Sequence, residues 1–440
     1  MAMVNYWQKD IETMKRSDLN ALQLERLKYI VRYCYKNVPF YKKRFDEIGL
    51  KPEHIQSFQD VEKIPFTTKD DIRDNYPFGL FAVPQKKIVR MHASSGTTGK
   101  PTVVGYTRND LNTWSDLVAR LCVAAGVNDD DIAQISFGYG LFTGALGLHY
   151  GLEKIGASIV PASSGNTEKQ VMLLKDFGVT VLVATPSYAL HIGEVVRDMG
   201  FTTDDLSLRI GLFGSEGCTE EMRAAVEESL GLFATDNYGM SELIGPGVSG
   251  DCQYRTGMHI AEDHFYPEIV DRNTLKPLKE GEIGELVITT LTKEGFPLLR
   301  YRTKDITRIN YDADCPCGRT HARMAKIMGR SDDMFKIKGV NVFPSQIESV
   351  LMTTPHIGPQ YQLVLTRNGF MDNIEVVVEV VDGNLLTRYA ELEMLEHDIR
   401  HRLQTVLGLD CKITLKEPRS IERTAGKAKR VIDLRNKGTI

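Results

Sequence analysis

Short apolar runs that end in a turn and lead into a helical pattern set the architecture of this chain. Residues 179–185 (VTVLVAT) form one such run, which stops at Pro186, and residues 209–213 (RIGLF) form a second. A Gly-Ser-Glu turn follows the second run, and a helical pattern begins after Thr219, a good N-cap residue. Strands of this kind are buried on both faces of a sheet. Their alternation with helices predicts an α/β fold with mainly parallel sheets flanked by helices, and with ligands at the carboxyl ends of strands.

The pattern changes over the last quarter of the chain. Residues 361–366 and 374–381 are two strands rich in β-branched residues, separated by a turn that contains an Asn-Gly pair. An amphipathic helix follows over residues 392–406, and residues 412–416 form a third strand. This β-β-α-β order predicts a smaller α+β domain of about a hundred residues.

The composition is that of an ordinary globular protein and excludes several functions. The chain has 440 residues, more than one core usually holds, and a formal net charge of −4. It carries no basic block and no apolar run long enough to cross a bilayer, so we expect neither nucleic acid nor a membrane as a partner. The first residues lack the apolar stretch of a signal peptide, and seven scattered cysteines argue against a disulfide framework. We therefore expect a cytoplasmic location.

A stretch rich in glycine and hydroxyl groups, residues 94–101 (SSGTTGKP), follows a strand-like segment that ends at Met91. Its glycines let backbone N–H groups approach an anion, and its hydroxyls and lysine add donors, which suits a polyphosphate. It is not the common P-loop, because only two residues separate its glycines and Pro101 follows the lysine. We assign phosphate binding to seven of these residues: Ser94, Ser95, Gly96, Thr97, Thr98, Gly99 and Lys100.

Three cysteines and a histidine predict a metal site that is independent of the phosphate-binding stretch. Residues 315–318 (CPCG) form a tight Cys-x-Cys turn, and a further cysteine and a histidine lie upstream. Sets of four thiolate and imidazole ligands are how proteins hold structural zinc. We predict a zinc site formed by Cys252, His259, Cys315 and Cys317, in which His264 or His321 could replace His259. Protein would fill all four positions, so this zinc would stabilise the main domain and take no part in catalysis.

Five further motifs follow one another in a recognisable order. They are Gly214-Ser215-Glu216, residues 237–242 (NYGMSE), residues 301–305 (YRTKD), residues 329–333 (GRSDD) and Gly426-Lys427. Together with the Gly-Thr stretch they resemble the adenylate-forming superfamily of acyl-CoA synthetases, adenylation domains and luciferases. Three further strings look like the phenylacetate–CoA ligase family in particular, namely residues 139–144 (YGLFTG), 291–294 (LTKE) and 340–348 (VNVFPSQIE). The resemblance extends over nearly the whole chain.

The resemblance implies that the chain activates a carboxylate with ATP and Mg²⁺. The Gly-Thr stretch would hold the leaving phosphates, Glu242 would bind Mg²⁺, and Ser241 would donate to the α-phosphate. Asp305 would accept hydrogen bonds from both ribose hydroxyls, and Arg330 would add a ribose contact. The remaining nucleotide-binding residues would enclose adenine, with Tyr238 stacked on the ring. These are Gly214, Ser215, Glu216, Asp236, Asn237, Tyr238, Gly239 and Met240.

The same resemblance assigns the catalytic cation and the mobile part of the chain. Lys427 would stabilise charge at the attacked phosphorus, with Lys429 as its local competitor. The family carries this lysine on the small domain, so it reaches the site in only one domain orientation, and Asp332 would be the hinge. We therefore divide the chain into three parts: an N-terminal domain (1–329), a hinge (330–333) and a mobile C-terminal domain (334–440).

The acyl pocket is the least defined part of the site. Residues 137–145 (FGYGLFTGA) combine aromatic side chains with glycines, which suits a narrow slot for a flat ring, although a buried loop would show the same composition. The resemblance favours the slot and places Tyr139, Gly140 and Phe142 in it. It implies phenylacetate as the acid, while other aryl acids and short aliphatic acids stay open.

These assignments predict an ATP-dependent aryl-acid–CoA ligase, in the first place a phenylacetate–CoA ligase. ATP and the acid would give an acyl-adenylate and pyrophosphate, and coenzyme A would then displace AMP to form the thioester. One alternative is a stand-alone adenylation enzyme that loads an aryl acid on a carrier protein in trans. Another is a zinc-containing ATP-binding sensor without turnover. The family resemblance also implies a homodimer.

Overall fold

The computed structural model describes residues 4–94, 101–311, 314–337, 340–368, 371–424 and 428–435. The chain forms two compact units. The first unit consists of Met1–Ala184, Leu206–Ser215 and Phe233–Lys326. The second consists of Thr185–Asp205, Glu216–Leu232 and Ile327–Ile440, so it combines two segments from the middle of the chain with the C-terminal region.

The first unit begins with helices and short turns and then alternates strands with helices. Its α-helices are α1 (Lys9–Glu12), α2 (Arg16–Asn37), α3 (Pro39–Glu47), α4 (Lys69–Asp74), α5 (Arg108–Ala125), α6 (Thr143–Ile155) and α7 (Thr167–Asp176). Single 3₁₀ turns cover Pro52–His54, Phe58–Lys63 and Gln85–Lys87. Its strands are β1 (Arg90–Ala93), β2 (Val103–Tyr106), β3 (Ile132–Ile135), β4 (Ser158–Val160), β5 (Val181–Ala184), β6 (Ile210–Gly214), β7 (Phe233–Met240), β8 (Gly245–Gly250), β9 (Met258–Ile260), β10 (Phe265–Val270), β11 (Gly284–Thr290), β12 (Tyr301–Thr307), β13 (Ile309–Asn310) and β14 (Arg323–Met324).

A nine-stranded sheet is the largest sheet of the first unit, with the order β13-β14-β9-β8-β7-β6-β5-β3-β4. Neighbours from β4 to β7 pair in parallel. Neighbours from β7 to β13 pair antiparallel. Every residue of β5 and β6 is buried, as expected for strands covered on both faces. Smaller antiparallel sheets are formed by β1 with β2, and by β10, β11 and β12 in that order.

The second unit has one apolar core of its own. Its helices are α8 (Pro186–Asp198), α9 (Glu220–Leu230), α10 (Pro344–Met352) and α11 (Tyr389–Leu407), with 3₁₀ turns at Thr203–Asp205 and Gly383–Thr387. Its strands are β15 (Gly329–Arg330), β16 (Phe335–Ile337), β17 (Val340–Val342), β18 (Ile357–Asn368), β19 (Met371–Val380), β20 (Lys412–Lys416) and β21 (Val431–Asp433). A sheet with the order β20-β19-β18-β21 packs against α10 and α11 through buried side chains such as Leu351, Val376 and Leu403.

The predicted fold class is confirmed, and the two units differ from the expectation in detail. The parallel prediction holds for β3 to β7, whereas the rest of the large sheet is antiparallel. Strand β8 (GPGVSG) is buried along its whole length although it has almost no apolar side chains. A Cβ on Gly245 would lie 2.4 Å from the Trp114 ring, so glycine lets this strand lie against α5. Periodicity of apolar residues does not detect such a strand.

The C-terminal β-β-α-β prediction corresponds to β18, β19, α11 and β20, and the third predicted strand has the bounds of β20. Strand β21 was missed, and it adds to the edge of the sheet by parallel pairing with β18. The predicted domain borders at residues 329 and 334 stay a prediction. The two compact units are defined by packing, and the second unit includes α8 and α9, which the prediction assigned to the N-terminal domain. Among the described residues, no helix combines the length and apolarity needed to cross a membrane.

Candidate active site

The carboxyl ends of three parallel strands bring the predicted motifs of the first unit to one edge of the large sheet. Strand β3 leads into the aromatic and glycine-rich segment, β6 leads into Ser215, and β7 leads into Ser241 and Glu242. These strands and β5 run parallel, so their carboxyl ends share an edge. That edge is where ligands bind in sheets of this kind.

Glu242 lies in a buried polar cluster beside the start of the Gly-Thr stretch. Its side chain is 4% exposed, and its Oε1 lies 3.7 Å from Nζ of Lys69. The hydroxyl oxygen of Thr102 lies 3.2 Å from Oε1 of Glu242 and 2.7 Å from Oγ of Ser94. The structure therefore brings Ser94 and Glu242 together, as predicted, and adds Thr102 and Lys69, which the sequence analysis missed.

The rest of the Gly-Thr stretch connects β1 to β2. The two strands pair antiparallel from Arg90 with Tyr106 to Ala93 with Val103, and the Ser94 N–H donates to the carbonyl of Thr102 at 3.0 Å. Six assigned residues lie outside the described residues, so their phosphate contacts stay predictions. These are Ser95, Gly96, Thr97, Thr98, Gly99 and Lys100.

The aromatic segment, residues 137–145, is hydrogen-bonded to strand β1 and to Ser241. The Leu141 carbonyl lies 3.0 Å from Nδ1 of His92 and accepts from the Ala93 N–H at 3.1 Å. At the other end of the segment, the hydroxyls of Thr143 and Ser241 lie 3.0 Å apart. The segment predicted to bind the acid therefore contacts Ser241, which is predicted to bind the α-phosphate.

The three residues predicted to line the acyl pocket have different environments. The Tyr139 hydroxyl lies 3.0 Å from Nδ1 of His149, and burial raises the pKa of Tyr139 to about 12. Phe142 contacts Phe137 edge to face, with the ring centroids 6.0 Å apart. Gly140 is exposed. A tyrosine that stays neutral and a pair of aromatic rings suit a ring-bearing acid, and their contact with substrate stays a prediction.

Tyr238 and Asp305 form a buried hydrogen bond. The Tyr238 hydroxyl donates to Oδ2 of Asp305 at 2.6 Å, and the two residues are 9% and 4% exposed. The Asp305 N–H also bonds to the Thr303 hydroxyl at 3.1 Å. The carboxylate assigned to the ribose is thus held in place by the tyrosine assigned to the adenine ring. The stacking of Tyr238 on adenine stays a prediction.

Backbone strain is found at two of the predicted nucleotide-binding motifs. Ser215 has a φ of +72° and Lys304, next to Asp305, has a φ of +69°, although neither is glycine. Such conformations persist only where the surroundings enforce them, and they cluster at functional sites. Gly239 has a different constraint, because a Cβ there would lie 1.9 Å from the Gly245 carbonyl oxygen. Only glycine therefore fits at that position of the predicted motif.

The neighbours of Gly239 on β7 hold the sheet edge together. The Asn237 amide donates to the carbonyl of Phe213 at the end of β6. The Asp236 N–H donates to the Asp251 carboxylate at 3.0 Å. Met240 is half-buried at the end of the strand. These contacts support the site, and direct contacts of the three residues with a nucleotide stay predictions.

Glu216, Arg330 and Asp332 belong to the second unit. Oε1 of Glu216 accepts from the Ser187 N–H at 2.7 Å, and its Oε2 accepts from the Ala428 N–H at 3.2 Å. Arg330 forms a two-point pair with Asp332, at 2.9 and 3.0 Å. The residue predicted to contact ribose is thus paired with the predicted hinge.

The predicted catalytic lysine, Lys427, lies outside the described residues together with Gly426. The residue that follows it, Ala428, is described and is held through its N–H by Glu216. The role of Lys427 therefore stays a prediction.

Lys293, within residues 291–294 (LTKE), is a buried member of the site whose role the sequence did not predict. Its ammonium donates to the carbonyl of Leu243 at 2.8 Å and lies 3.4 Å from the carbonyl of Glu242. It also lies 4.6 Å from the ring centroid of Tyr106. Burial lowers the pKa of Lys293 from 10.5 to about 7, and the charges of Asp110 and Glu242 oppose this shift.

This pKa predicts an unusual pH dependence of stability. Between pH 7 and 10.5 the unfolded chain binds a proton at Lys293 that the folded chain does not, so raising the pH in this range favours the folded state. Compared with a Lys293→Met variant, the wild-type protein should gain free energy of unfolding from pH 7.5 to pH 9.5. Urea unfolding of both proteins at the two pH values measures this difference. If the two proteins differ in free energy of unfolding by the same amount at both pH values, Lys293 keeps an ordinary pKa.

The predicted zinc ligands converge in the first unit. Side-chain donor atoms of Cys252, His259, Cys315 and Cys317 all lie within 4.8 Å of one another, and all four residues are buried. Sγ of Cys252 lies 3.6 Å from Sγ of Cys315, and Sγ of Cys317 lies 3.3 Å from Nε2 of His259. Hydrogen bonds from Cys252 lower the pKa of the Cys315 and Cys317 thiols. The edges of a tetrahedral zinc site with Zn–S bonds of about 2.3 Å are about 3.8 Å long, so this spacing fits the ion.

The geometry distinguishes His259 from the two alternative histidines. Nδ1 of His259 lies 3.3 Å from the carbonyl of His321, which leaves Nε2 directed at the thiols. The ring nitrogens of His321 lie 2.9 and 3.0 Å from two backbone carbonyls, of Ile260 and Ile11. His264 pairs with Asp263 and Thr292. Among the three, only His259 belongs to the cluster.

Comparison with known proteins decides the family. The model of the AMP-binding enzyme family matches residues 20–292, and that of the AMP-binding enzyme C-terminal domain matches residues 339–435. The chain is 50% identical over 430 residues to a phenylacetate–coenzyme A ligase of Aromatoleum evansii, which covers 97% of each chain. The chain belongs to the phenylacetate–CoA ligase family. Like the other adenylate-forming enzymes of this family, it is an acid–thiol ligase that forms AMP.

Solved structures agree with this membership. A 2-hydroxyisobutyryl-CoA ligase in the postadenylation state is 30% identical and superposes with a TM-score of 0.91, covering 97% of this chain and 92% of that chain. The same ligase in complex with 2-HIB-AMP and CoA, in the thioesterification state, superposes with a TM-score of 0.73 at 31% identity, covering 98% and 93%. The two structures of that ligase superpose on this chain with different TM-scores, so they differ from each other in conformation. The phenylacetate–CoA ligase family thus has a relative solved in two states.

Proposed function

We propose that this protein is an ATP-dependent phenylacetate–CoA ligase. The observation that carries the proposal is 50% identity over 97% of both chains with a curated phenylacetate–coenzyme A ligase. The described site supports it with a buried carboxylate at Glu242, hydroxyls at Ser94 and Ser241, and a fixed carboxylate at Asp305. These groups match the needs of a magnesium ion, phosphates and a ribose.

The residues of the first unit would orient the two anionic reactants of the first half-reaction. A carboxylate oxygen of the acid attacks the α-phosphorus of ATP, and pyrophosphate leaves. The Ser241 hydroxyl, held by Thr143 at 3.0 Å, would donate to the α-phosphate. Asp305, held by Tyr238, would accept from the ribose hydroxyls. Lys427 would supply the positive charge near the attacked phosphorus.

Glu242 fits the ligand that Mg²⁺ prefers. Within the described residues, only Oε1 of its carboxylate is hydrogen-bonded or ion-paired, through Thr102 and Lys69, so Oε2 is available to a cation. A single carboxylate that acts together with phosphate oxygens is a common way to hold this ion. When bound, Mg²⁺ supplies positive charge to the phosphates.

We also propose that the cysteine and histidine cluster holds a structural Zn²⁺. The spacing of the four donors and the contact of His259 Nδ1 with a backbone carbonyl support this assignment, because zinc-binding histidines usually donate their other nitrogen to such a group. The site would fix the turn that contains Cys317, whose carbonyl accepts from the Tyr6 hydroxyl at 2.7 Å. Zinc would thereby link the N-terminal residues to the large sheet.

In the second half-reaction, the thiol sulfur of coenzyme A attacks the acyl carbon and AMP leaves. The acid is already activated, so no protein nucleophile is required. We propose that the small domain turns about Asp332 between the two steps. The two TM-scores of one related ligase support a family mechanism with two arrangements.

An Asp332→Pro variant tests this hinge. Proline fixes φ near −65° and removes an N–H, so it should block a backbone rotation at this position. We expect the variant to retain adenylate formation and to lose most thioester formation, with little change in stability, since Asp332 is exposed and half of an exposed ion pair. Pyrophosphate release and thioester formation from supplied acyl-adenylate measure the two steps separately. Wild-type rates for both would exclude Asp332 as the pivot.

The identity of the acid is tested by a panel of carboxylic acids. Pyrophosphate release should be fastest with phenylacetate, slower with hydroxyphenylacetate and benzoate, and slowest with short aliphatic acids. A preference for an aliphatic acid would contradict the aryl pocket while leaving the reaction type intact. If a carrier protein accelerates AMP release and coenzyme A does not, the acyl acceptor is a carrier protein.

We further propose a cytoplasmic location and a homodimer. The first rests on the composition of the chain. The second rests on the family resemblance alone, and sedimentation of the purified protein at several concentrations tests it.

A further inference from the structure

Lys293 has a combination of properties that packing alone does not explain. The residue is 3% exposed, and among the described residues its ammonium lies in no ion pair. Burying an amino group that forms no ion pair is costly, and a methionine of similar length would fill the same space without that cost. Two ring faces, of Tyr106 at 4.6 Å and Phe296 at 5.4 Å, stabilise the protonated form by cation–π attraction. The polar head must therefore have a role of its own.

That head binds the turn that follows strand β7. Its hydrogen-bond acceptors are the carbonyls of Leu243 and Glu242, at 2.8 and 3.4 Å. The turn itself is closed by bonds from the N–H groups of Leu243 and Ile244 to the Met240 carbonyl, both at 3.1 Å. The Tyr106 hydroxyl donates to the Ile244 carbonyl at 2.9 Å. Lys293 thus fixes the backbone of the residue whose side chain is the proposed magnesium ligand.

The backbone beside Lys293 is itself anchored. The N–H groups of Glu294 and Gly295 donate to the Asp110 carboxylate at 2.7 and 2.9 Å. Asp110 also accepts from the Thr107 N–H at 2.8 Å and so belongs to the N-terminal cap of α5. The backbone next to Lys293 is thus fixed to the N-terminus of α5, and the side chain of Lys293 connects it to the turn.

We propose that Lys293 is a positioning residue, which holds the turn of residues 241–244 so that Glu242 and Ser241 face the magnesium ion and the α-phosphate. The inference rests on the proposed function of Glu242. Groups that orient a metal ligand typically change metal affinity by about 10–100-fold when they are removed.

A Lys293→Met variant tests the proposal by its magnesium dependence. The Mg²⁺ concentration for half-maximal pyrophosphate release should rise by about tenfold or more. Thioester formation from supplied phenylacetyl-adenylate should stay within about twofold of wild type, because pyrophosphate, whose charge the Mg²⁺ would balance, takes no part in that step. Lys293→Gln keeps a hydrogen-bond donor on a shorter side chain, so its Mg²⁺ requirement should lie between those of the wild-type protein and Lys293→Met. Lys279→Met, which replaces an exposed lysine, should leave both steps unchanged.

The double variant with Glu242→Gln separates the two proposals. If Lys293 acts through Glu242, Lys293→Met should add little to the effect of Glu242→Gln on the magnesium dependence. Independent, multiplied effects would overturn the positioning role, as would an unchanged magnesium requirement in both Lys293 variants. An unchanged requirement in Glu242→Gln alone would instead overturn the magnesium assignment. Thermal unfolding of each variant without Mg²⁺ identifies a loss of folded protein, which would lower both half-reactions together.

Discussion

Replacement of Lys427 by alanine should remove most adenylate formation and leave thioester formation nearly unchanged. Two anions react in the first half-reaction, and a cation near the attacked phosphorus is the group that lowers this barrier. Loss of one such preorganised charge costs about 10²–10³ in rate. In the second half-reaction a thiol attacks the acyl carbon and the phosphorus is not attacked, so we expect this step to proceed without the lysine.

Two measurements on one protein preparation check this expectation. Pyrophosphate release from ATP and phenylacetate reports the first half-reaction, and thioester formation from supplied phenylacetyl-adenylate and coenzyme A reports the second. Lys429→Ala is the matched control, because it removes a second lysine from the same basic run. If Lys429→Ala shows the larger loss of adenylation, the catalytic cation is assigned to the wrong residue. Equal loss of both half-reactions in Lys427→Ala would indicate a structural role.

Removal of the proposed zinc ion should lower stability more than any other change considered. The four proposed ligands are buried in the first unit, and a structural metal site contributes its binding free energy to folding. We expect about one zinc ion per chain by elemental analysis. Cys317→Ala should lose the ion and lower the thermal unfolding midpoint by several degrees, since it also releases the turn that binds Tyr6.

Cys122→Ala provides the control for this experiment. Cys122 is as fully buried as the cluster cysteines, but it lies on α5 outside the cluster. The variant should keep its zinc and lose only the stability that a small cavity costs. Protein purified without zinc yet with full stability would contradict the assignment, and so would a Cys317→Ala variant that keeps a full equivalent of zinc.

Motifs at strand ends were predictable from the sequence because parallel strands share an edge. The apolar runs that became β5 and β6 indicated this arrangement. It places Ser215 and Glu242 near one edge, after β6 and β7. Ser94 follows β1 of a separate antiparallel sheet, and it meets Glu242 through Thr102 although the two residues lie 148 positions apart in the chain. The family resemblance supplied the roles of these residues, which neither periodicity nor composition could give.

Contacts that depend on tertiary burial were not predictable. Lys293 lies in a string that reads as an ordinary polar turn, and its lowered pKa arises from the side chains that fold around it. The choice among His259, His264 and His321 required the positions of their ring nitrogens. The binding of Glu216 to the N–H groups of Ser187 and Ala428 joins segments that are far apart in sequence and carry no common pattern.

We infer that this chain joins an aryl acid to coenzyme A through an acyl-adenylate. The most direct test is incubation of the purified protein with ATP, Mg²⁺, phenylacetate and coenzyme A, followed by separation of nucleotides and thioesters. We expect AMP and phenylacetyl-CoA in equal amounts, with pyrophosphate formed before the thioester when coenzyme A is added last. Formation of ADP in place of AMP, or of thioester without AMP, would contradict it.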